Sequence, residues 1–529
     1  MICVIGSGPA GVACASALLE RGAQVTMLDA GLELEPDRRR RLTELQSVAF
    51  PSWDEASLSL LREGVEVSRG GIPLKLAYGS QFPYRDPMDQ PMSTDGVHTK
   101  PSFARGGLSN VWGASVLPYR TEDMTEWPIT SKDLAPHYRA ALRMMPFSAR
   151  HDGLEETFPL HHDQPGTLSS SKQAADLLRD LEASRPTLLS RGISFGTSRL
   201  ALQSEDSNGK PGCVYCGKCL YGCPYELIYN SSQSLGQLKA HPGFTYRSGL
   251  VVEHLKETRS QVEIGGRAAG DHAAFQIRSD KVFVACGVVS TARIMLASLD
   301  AYDHPIEAID NCYFLLPLLR YRSCPDASEE PLFTLAQVFI EVLDEAVGPQ
   351  TVHLQVYTYN ELFGKEVRRM LGPLDRLFPD GLRRNLLGRV LLIQGYLHSD
   401  LSARIRITLR RAGHNHPSAL ELEGLDSART RPALSALRRR LWTERRSMRA
   451  IPLSPAMRVG EPGRGYHTGG TFPMRQNPGA FQSDLLGRPN GFSRVHLVDA
   501  SVFPSLPATT ITLSVMANAH RIGSAALDS

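Results

Sequence analysis

Four of the nine cysteines in this chain lie close together, in the stretch CVYCGKCLYGCP at 213–224. They are Cys213, Cys216, Cys219 and Cys223, and Pro224 follows the last of them. The spacing C-x2-C-x2-C-x3-C-P is typical of thiolate ligands of an iron–sulfur cluster. Structural zinc usually draws its ligands from separated pairs. We therefore prefer a cluster over zinc, and over a site without metal.

A single cysteine run leaves the type of cluster open. All four thiolates could bind a 4Fe–4S cluster, which we prefer, or three of them could bind a 3Fe–4S cluster. A distant cysteine such as Cys312 or Cys324 could also supply a ligand. The cysteines outside the run show no paired spacing, so a disulfide framework is not expected in a chain of this size.

The first 31 residues, MICVIGSGPAGVACASALLERGAQVTMLDAG, contain a second chemical motif. They predict a strand, a glycine turn, a helix and a second strand. Gly6, Gly8 and Gly11 stand in G-x-G-x-x-G register, which allows a tight turn, the approach of a pyrophosphate and close packing of helix on strand. Asp29 closes the second strand 18 residues after Gly11, where a carboxylate can bind a ribose hydroxyl. The stretch predicts a dinucleotide site.

Two later stretches, ARGGLSNVWGASVLPY (104–119) and TEWPITSKDLAPHY (125–138), complete a wider resemblance. Together with the glycine motif they resemble the glucose–methanol–choline family of flavin oxidoreductases, especially its sugar-oxidising branches. The resemblance implies that FAD is the dinucleotide and that the loop at 104–113 packs against its isoalloxazine ring. Some sugar oxidases of the family attach the flavin through a histidine at the position of Val111. We therefore expect non-covalent FAD.

The resemblance extends to both ends of the chain and fades between about 300 and 455. The stretch 248–255 resembles the strand beside the adenine, 280–296 the returning strand and helix beside the flavin nucleotide, and 494–523 the closing FAD segment. The residues it implies for FAD binding are Gly6, Gly8, Pro9, Ala10, Gly11, Asp29, Gly106, Gly107, Ser109, Asn110, Trp112, Val252 and Asp499.

The region from 331 to 425 contains segments in which apolar and polar residues alternate. This period suits an antiparallel sheet with one face covered and one open. Between them, 360–387 predicts short helices broken at Gly372-Pro373 and at Pro379. Family members place such a sheet over the flavin as the roof of the substrate pocket. The residues that would select the substrate cannot be named from this region.

These observations predict an α/β fold with a Rossmann-like FAD-binding domain and a second, substrate domain built on an antiparallel sheet. This is the two-domain architecture of the glucose–methanol–choline and p-hydroxybenzoate hydroxylase type. We expect the FAD domain at 1–300, with an iron–sulfur insertion at about 205–235. The substrate domain follows at 301–455. Residues 456–529 complete the FAD domain and the active site.

The stretch GYHTGGTFPM at 465–474 resembles the active-site histidine segment of the family, which makes His467 the candidate base. Histidine suits the role because its unperturbed pKa lies near neutrality. The second active-site position, usually His or Asn, falls on Thr510, or on Thr509 if the alignment shifts by one residue. A hydroxyl is a poor base without an activating partner, so His467 remains the only base. His520 is expected to be a surface or packing residue.

Composition excludes several classes of partner. The net charge of +3 gives no reason to expect nucleic-acid binding. No apolar run approaches the about 18 residues of a membrane span, and the first residues enter a strand directly. We therefore expect a cytoplasmic protein without a membrane span.

The predicted function is the oxidation of a CH–OH group of a sugar or sugar-like alcohol to a carbonyl. FAD would take the hydride, and the cluster would pass electrons singly to a redox protein, which favours a dehydrogenase over an oxidase. Sugar dehydrogenases of this family carry a cysteine-ligated cluster at a similar place, with different spacing. Two alternatives remain. The chain could be a reductase that carries electrons inward to a carbonyl or alkene, or an inactive FAD and iron–sulfur electron-transfer subunit.

Overall fold

The fold is known from a computed structural model that describes residues 1–50, 52–62, 74–207, 209, 211–362, 364–365, 379–413 and 418–528. Its helices are α1 (Pro9–Glu20), α2 (Pro36–Ser47), α3 (Glu55–Arg62), α4 (Ser131–Arg143), α5 (Lys172–Glu182), α6 (Arg185–Ser190), α7 (Ser231–Leu238), α8 (Val288–Ser298), α9 (Asp380–Leu387), α10 (Thr430–Thr443) and α11 (Thr512–Ala525). The helix break predicted at Gly372-Pro373 lies outside the described residues, whereas Pro379 directly precedes α9.

The strands are β1 (Ile2–Ile5), β2 (Val25–Leu28), β3 (Met92–Asp95), β4 (Ile193–Thr197), β5 (Phe244–Arg247), β6 (Leu250–Glu257), β7 (Val262–Ala268), β8 (Ala274–Ser279), β9 (Lys281–Val284), β10 (Pro305–Asp310), β11 (Tyr313–Arg320), β12 (Val338–Asp344), β13 (Gly348–Tyr357), β14 (Val390–Tyr396), β15 (Arg404–Arg410), β16 (Ala419–Leu425), β17 (Ala450–Pro452), β18 (Arg458–Val459), β19 (Thr468–Gly469) and β20 (Val495–Leu497).

Five of the described strands form a parallel sheet in the order β20-β9-β1-β2-β5. The inner strands are short and largely apolar, and β2 is buried along its whole length, as a sheet covered on both faces requires. Helices α1 and α11 pack closely together because Gly523 brings its backbone against Cys14. The carboxyl ends of these strands meet at one edge, which is where open α/β sheets bind their ligands. The predicted Rossmann-like domain is confirmed.

A second sheet is antiparallel and has the order β17-β11-β14-β13-β12-β4, with β18 paired to β11. Successive side chains of a strand point to opposite faces. On one face, leucine, isoleucine and valine side chains form a core with α5 and α10. The other face carries aromatic and polar side chains and turns toward the FAD domain. Below we call this sheet the roof sheet. Strand β4 belongs to it and helix α5 packs on it, although both lie before residue 300.

Strands β15 and β16 were predicted to join the roof sheet, but they lie in a separate sheet with the order β19-β10-β15-β16-β3. Their apolar residues, such as Ile405 and Leu422, enter the same core as the parallel sheet. The alternation of apolar and polar residues identified each strand correctly. It does not specify the partner of a strand, because the period is the same in every sheet. The domain boundaries drawn from the sequence therefore remain a proposal.

Strands β6, β7 and β8 form a small antiparallel sheet beside the parallel one. The described part of the chain contains no helix with the length and apolar character needed to cross a membrane.

Candidate active site and cysteine segment

The glycine turn between β1 and α1 has the shape that a dinucleotide site requires. Gly6 has φ +97°, and a Cβ there would lie 2.6 Å from the carbonyl oxygen of Ala285. A Cβ at Gly11 would overlap the carbonyl oxygen of Gly6. At Gly8, by contrast, no protein atom lies within 4 Å of an added Cβ. The backbone of Gly8 thus faces open space at the amino terminus of α1, where a pyrophosphate could approach.

Asp29 lies directly after β2 and is buried. Its carboxylate accepts hydrogen bonds from the hydroxyls of Ser7 and Tyr246, the latter at 2.9 Å. Burial raises the pKa of Asp29 to about 6, and both hydrogen bonds act in the opposite direction. Ser7 also accepts a hydrogen bond of 3.0 Å from the backbone N–H of Gly106. Ser7, which was not predicted, therefore joins the glycine turn, the acid and the loop expected to contact the flavin.

That loop, residues 104–113, lies against the dinucleotide turn. A Cβ at Gly107 (φ +57°) would be 3.4 Å from the Cα of Gly8. Ser109 Oγ donates to the carbonyl of Gly106 at 2.5 Å, and Asn110 Nδ2 donates to the carbonyl of Gly107 at 2.7 Å. Trp112 is held by a 2.8 Å bond from its Nε1 to the carbonyl of Tyr229. The polar side chains thus fix the shape of the loop.

Asp499 lies at the carboxyl end of β20, on the same edge of the parallel sheet. Its Oδ2 accepts from the backbone N–H of Gly287 at 2.9 Å and from Thr291 Oγ1 at 2.6 Å. Burial raises the pKa of this carboxyl. Val252 lies in β6, whose first residue, Leu250, donates its N–H to the carbonyl of Asp29 at 3.0 Å. The residues predicted to bind FAD are therefore gathered along one edge, and their contacts with the cofactor remain predictions.

His467 lies directly before β19, opposite the polar face of the roof sheet. Its ring stacks on Tyr396 of β14 with centroids 4.5 Å apart and an angle of 19° between the planes. His467 Nδ1 is buried and has no hydrogen-bond partner among the described residues. Burial lowers the pKa of His467 to about 3, and the nearby His353 acts in the same direction. The imidazole is therefore neutral at physiological pH.

Asp310, at the end of β10, holds the segment that carries His467. It accepts a hydrogen bond of 2.7 Å from the N–H of Gly463 and one of 3.3 Å from the hydroxyl of Thr468. These residues lie on either side of His467. Burial raises the pKa of Asp310 to about 7. Sequence inspection did not identify Asp310, because nothing local distinguishes it from other acidic residues.

The alignment placed the second active-site position at Thr510 or Thr509, and the two differ in their contacts. Thr510 Oγ1 accepts a hydrogen bond of 3.1 Å from the N–H of Leu117. Thr509 Oγ1 is buried and has no hydrogen-bond partner among the described residues. Ala508, just before them, packs on Tyr396, so this segment and His467 meet at the same tyrosine. The role of either threonine stays a prediction.

His520 is a packing residue rather than a surface one. It is buried on α11, and its Nδ1 lies 3.0 Å from the Nδ1 of His137 on α4.

The polar face of the roof sheet supplies residues that the sequence did not reveal. His353, Gln355 and Tyr357 occupy alternate positions of β13. In the β13–β14 register, Tyr396 lies opposite His353. Glu341 of β12 lies opposite His353 on the other side, with Glu341 Oε1 at 2.7 Å from His353 Nδ1. This cluster covers the space next to His467.

The cysteine segment, residues 213–224, lies near the loop at 104–113. We call this loop the flavin loop, because it was predicted to contact the flavin. Cys219 and Cys223 are buried, and Cys213 and Cys216 are partly buried. The N–H of Thr334 points to Cys219 Sγ at 3.5 Å, and the N–H of Leu227 points to Cys223 Sγ at 3.4 Å. Hydrogen bonds of this kind stabilise thiolates and tune cluster potentials.

The thiols also influence one another. Burial raises the pKa of Cys213 to about 12 and that of Cys223 to about 11, and the charge of Cys219 acts in the same direction on both. Lys75 lies between the segment and the flavin loop, donating to the carbonyl of Trp112 at 2.7 Å. Burial lowers the pKa of Lys75 to about 8, against the opposing effect of the Cys219 and Cys223 charges.

The donor chemistry of the segment fits a cluster, but the described residues do not assemble a metal site. They contain no group of three or more His, Cys, Asp or Glu side chains arranged to hold a metal ion. The iron–sulfur cluster therefore remains a prediction that depends on the spacing and the N–H donors.

Comparison with known proteins gives two curated relatives, whereas no family model matches the chain. The chain is 25% identical over 315 residues to 6'''-hydroxyparomomycin C oxidase of Streptomyces lividus, an alignment that covers 57% of this chain and 50% of that protein. It is 23% identical over 322 residues to paromamine 6'-oxidase of Streptomyces fradiae, covering 56% of this chain and 49% of the relative. The chain thus spans about half the length of the curated relatives it matches.

Two solved structures match over nearly the whole chain. Pyridoxine 4-oxidase from Mesorbium loti superposes with a TM-score of 0.58 at 15% identity, covering 99% of this chain and 98% of that one. Formate oxidase of Aspergillus oryzae RIB40 superposes with a TM-score of 0.60 at 13% identity, covering 100% of this chain and 98% of that one. The chain has the two-domain fold of these two oxidases.

This result confirms the fold class predicted from the sequence. In this fold, the parallel sheet carries the glycine turn, Asp29 and Asp499 at one edge. The roof sheet faces that edge with Tyr396 and the β13 cluster. His467 lies at the junction of the two, stacked on Tyr396.

Proposed function

We propose that this chain is an FAD-dependent oxidoreductase of the glucose–methanol–choline family that oxidises a CH–OH group of a sugar or sugar-like alcohol to a carbonyl. The observation that carries the proposal is His467, a neutral imidazole with a buried, unpartnered Nδ1 in the described structure, held between the roof sheet and the FAD domain. The names of the relatives, which describe oxidases of paromamine and of a paromomycin derivative, support the sugar-like substrate.

The residues of the chain perform three tasks in this reaction. The glycine turn with Gly8, together with Asp29 and Asp499, would hold FAD, which when bound supplies the hydride acceptor. His467 would accept the proton of the substrate hydroxyl at a ring nitrogen. The stacking of Tyr396 and the two hydrogen bonds of Asp310 fix the position of that imidazole before substrate arrives, which lowers the entropic cost of the reaction.

The low pKa of His467 has a consequence for its role. Desolvation disfavours the imidazolium as long as no negative charge lies nearby. A substrate oxygen that becomes negative beside the ring would reverse this effect, because an opposite charge at short distance favours the protonated form. Proton uptake by His467 would therefore be coupled to charge development on the substrate.

We also propose that Cys213, Cys216, Cys219 and Cys223 bind an iron–sulfur cluster, with 4Fe–4S preferred. A bound cluster would supply single-electron transfer to a redox protein acceptor, so the chain would be a dehydrogenase. The spacing, the N–H donors to Cys219 and Cys223 and the link through Lys75 to the flavin loop support this proposal. The named relatives are oxidases, so electron acceptance by oxygen is the alternative.

The first experiment is anaerobic mixing of the FAD-loaded protein with paromamine or pyridoxine, followed by flavin absorbance. We expect at least one of these alcohols to reduce the flavin. His467→Ala should retain FAD and slow the reduction by about 100- to 10,000-fold. His241→Ala, at an exposed histidine, is the control and should react like the unmodified protein. Failure of both alcohols, or rapid reduction in His467→Ala, would contradict the proposal.

The cluster is tested separately by iron and sulfide analysis after anaerobic purification, and by EPR before and after dithionite. About four irons per FAD and a signal only after reduction would support 4Fe–4S, and about three irons with a signal in the oxidised protein would support 3Fe–4S. Cys219→Ser should lower the iron content, whereas Cys324→Ser, outside the run, should not. Zinc without iron would reject the cluster and leave the alcohol chemistry unaffected.

A further inference from the structure

Polar residues in the roof sheet follow a pattern that sheet packing does not explain. His353, Gln355 and Tyr357 point to one face of β13, because side chains alternate along a strand. Glu341 lies opposite His353 and is 2% exposed, and His353 is 0% exposed. The intervening residues pack in the apolar core on the other face (Val352, Leu354 and Val356). Burial of polar side chains is unfavourable unless they form hydrogen bonds, so this face can be buried only because its side chains bond to one another.

The hydrogen bonds of these residues run in one direction. The amide nitrogen of Gln355 can only donate a hydrogen bond, so the ring proton of His353 is on Nδ1, which donates to Glu341 Oε1 at 2.7 Å. His353 Nε2 then accepts from the Gln355 amide nitrogen at 3.1 Å. The amide oxygen of Gln355 is thereby turned toward hydroxyl donors: Ser115 Oγ donates to it at 3.3 Å and Tyr357 Oη at 3.4 Å.

The direction of these hydrogen bonds determines what Tyr357, at the outer end of the hydrogen-bond chain, can bind. The proton of Tyr357 Oη points inward to Gln355, so the oxygen presents its remaining lone pairs outward. Tyr357 Oη lies next to the flavin loop, 3.5 Å from the position of a Cβ at Gly113. With its proton directed to Gln355, the hydroxyl of Tyr357 accepts hydrogen bonds on its outer side. Glu341 Oε2, at the inner end of this hydrogen-bond chain, has no hydrogen-bond partner among the described residues.

This hydrogen-bond chain lies close to His467, the candidate base. The ring of Tyr396 is nearly parallel to both imidazoles, with its centroid 4.5 Å from that of His467 and 6.4 Å from that of His353. His353 lies opposite Tyr396 and its ring is bonded to Gln355, so the hydrogen-bond chain begins next to the stack with His467 and runs from there to Tyr357.

We propose that Glu341, His353 and Gln355 form a hydrogen-bond chain that makes the site selective for alcohols bearing a second O–H or N–H donor beside the oxidised carbon. The substrate class is then a polyol or amino-polyol. Tyr357 and Gln355 are the specificity residues, and His353 is a positioning residue that acts through Gln355. The inference rests on the proposed alcohol oxidation. An analogue without the second donor would leave buried acceptors unpaired, which sites of this kind reject strongly.

The test compares paromamine with a paromamine derivative that lacks the ring hydroxyl nearest the oxidised carbon. Two quantities are measured for each FAD-loaded protein: the dissociation constant, from perturbation of the flavin spectrum, and kcat/KM for flavin reduction. The unmodified protein should prefer paromamine by about tenfold or more in both. Tyr357→Phe and Gln355→Leu should bring the ratio of the values for paromamine and for the derivative close to one, mainly by weakening paromamine binding. Glu341→Gln should lower the ratio in the same direction.

Glu444→Gln is the matched control, since Glu444 is another buried carboxylate of the same domain, bound to Arg191 on the side of the roof sheet away from the flavin loop. Its ratio should equal that of the unmodified protein. Equal losses for both probes in Tyr357→Phe would mean a structural role and would overturn the inference. Failure of the unmodified protein to bind paromamine more tightly than the derivative would also overturn it. Binding with discrimination but without flavin reduction would instead reject the proposed oxidation and leave the recognition chain supported.

Discussion

The ring of Tyr396 lies parallel to that of His467 at a centroid distance of 4.5 Å, and its hydroxyl accepts a 2.6 Å hydrogen bond from Gln394 on the same strand. The tyrosine is therefore fixed by the roof sheet, while the histidine belongs to the segment next to β19. The stack joins the two halves of the active site and keeps water away from the imidazole.

Substitution of Tyr396 should distinguish its contribution to stability from its exclusion of water from the imidazole of His467. Tyr396→Phe keeps the ring stack and should leave flavin reduction by an alcohol within a few-fold of the unmodified protein. Tyr396→Ala removes a buried aromatic side chain, which costs about 3–5 kcal/mol of unfolding free energy, and opens His467 to water. Thermal or chemical denaturation measures the first effect, and stopped-flow flavin reduction measures the second.

The pH dependence of flavin reduction follows from the burial of His467. Its pKa is lowered to about 3, so the imidazole stays neutral as the pH falls from 8 to 5, and the rate should show no histidine titration there. In Tyr396→Ala the pKa should rise toward the usual value near 6.5, and the rate should fall below that pH. An acid limb near pH 6.5 in the unmodified protein would contradict the assignment of His467 as a buried base.

Gly8 and Gly11 should respond differently to the same substitution. An added Cβ at Gly8 meets no protein atom, while one at Gly11 overlaps the carbonyl of Gly6. Gly8→Ala should therefore fold with an unchanged melting temperature without FAD, yet bind FAD at least about tenfold more weakly, because the methyl group occupies the phosphate approach. Gly11→Ala should lower the melting temperature of the cofactor-free protein as well. Normal FAD affinity in Gly8→Ala would place the pyrophosphate elsewhere.

The two candidate threonines can be separated in the same way. Thr510→Val should lose about 1–3 kcal/mol of unfolding free energy, since the buried N–H of Leu117 loses its acceptor, and Thr510→Ser should restore it. Thr509→Val removes a hydroxyl without a described partner and should change stability little. If Thr509 contacts the substrate, Thr509→Val raises KM with little change in kcat. Loss of kcat in Thr510→Val that Thr510→Ser restores would instead assign the chemistry to the hydroxyl of Thr510.

Asp310→Asn should alter the pH dependence of stability. The folded pKa of Asp310 is raised from 3.8 to about 7 by burial. Between these values the unfolded chain has released the proton and the folded chain retains it, so stability falls as pH rises from about 4 to about 7. Each pKa unit corresponds to about 1.4 kcal/mol. Asp310→Asn lacks this decline, so its stability relative to the unmodified protein should increase by several kcal/mol over that range, as measured by urea unfolding.

Local motifs of the sequence predicted the features that depend on neighbouring residues. The glycine turn and Asp29 follow from a short pattern, because a turn or a helix terminus is built from residues close in the chain. The segment of His467 was predicted from the family resemblance, and its role stays a prediction. The same holds for most individual strands. Strand pairing was less accessible: β15 and β16 have the alternation of roof strands but pair with β10 and β3.

The residues that line the space near His467 were not predictable from one sequence. Glu341 and His353 meet through strand register, and Tyr396 reaches His467 across 71 positions of the chain. Such contacts depend on how the roof sheet packs over the FAD domain. No local pattern of residue types predicts that arrangement. Asp310 and Ser7 were missed for the same reason.

Side chains of β13 point alternately to the apolar core and to the polar face, so different residues serve folding and recognition. Residues pointing into the helical core determine whether the roof sheet folds, whereas their immediate neighbours lie on the opposite face, where Gln355 contacts Ser115. Substitutions at 355 and 357 could thus change which alcohols are accepted while the folding core stays intact. A deletion of one residue within the strand would do the opposite, since it would exchange the two faces and place the amide and imidazole in the apolar core. The strand is tolerant to replacement and intolerant to changes in length.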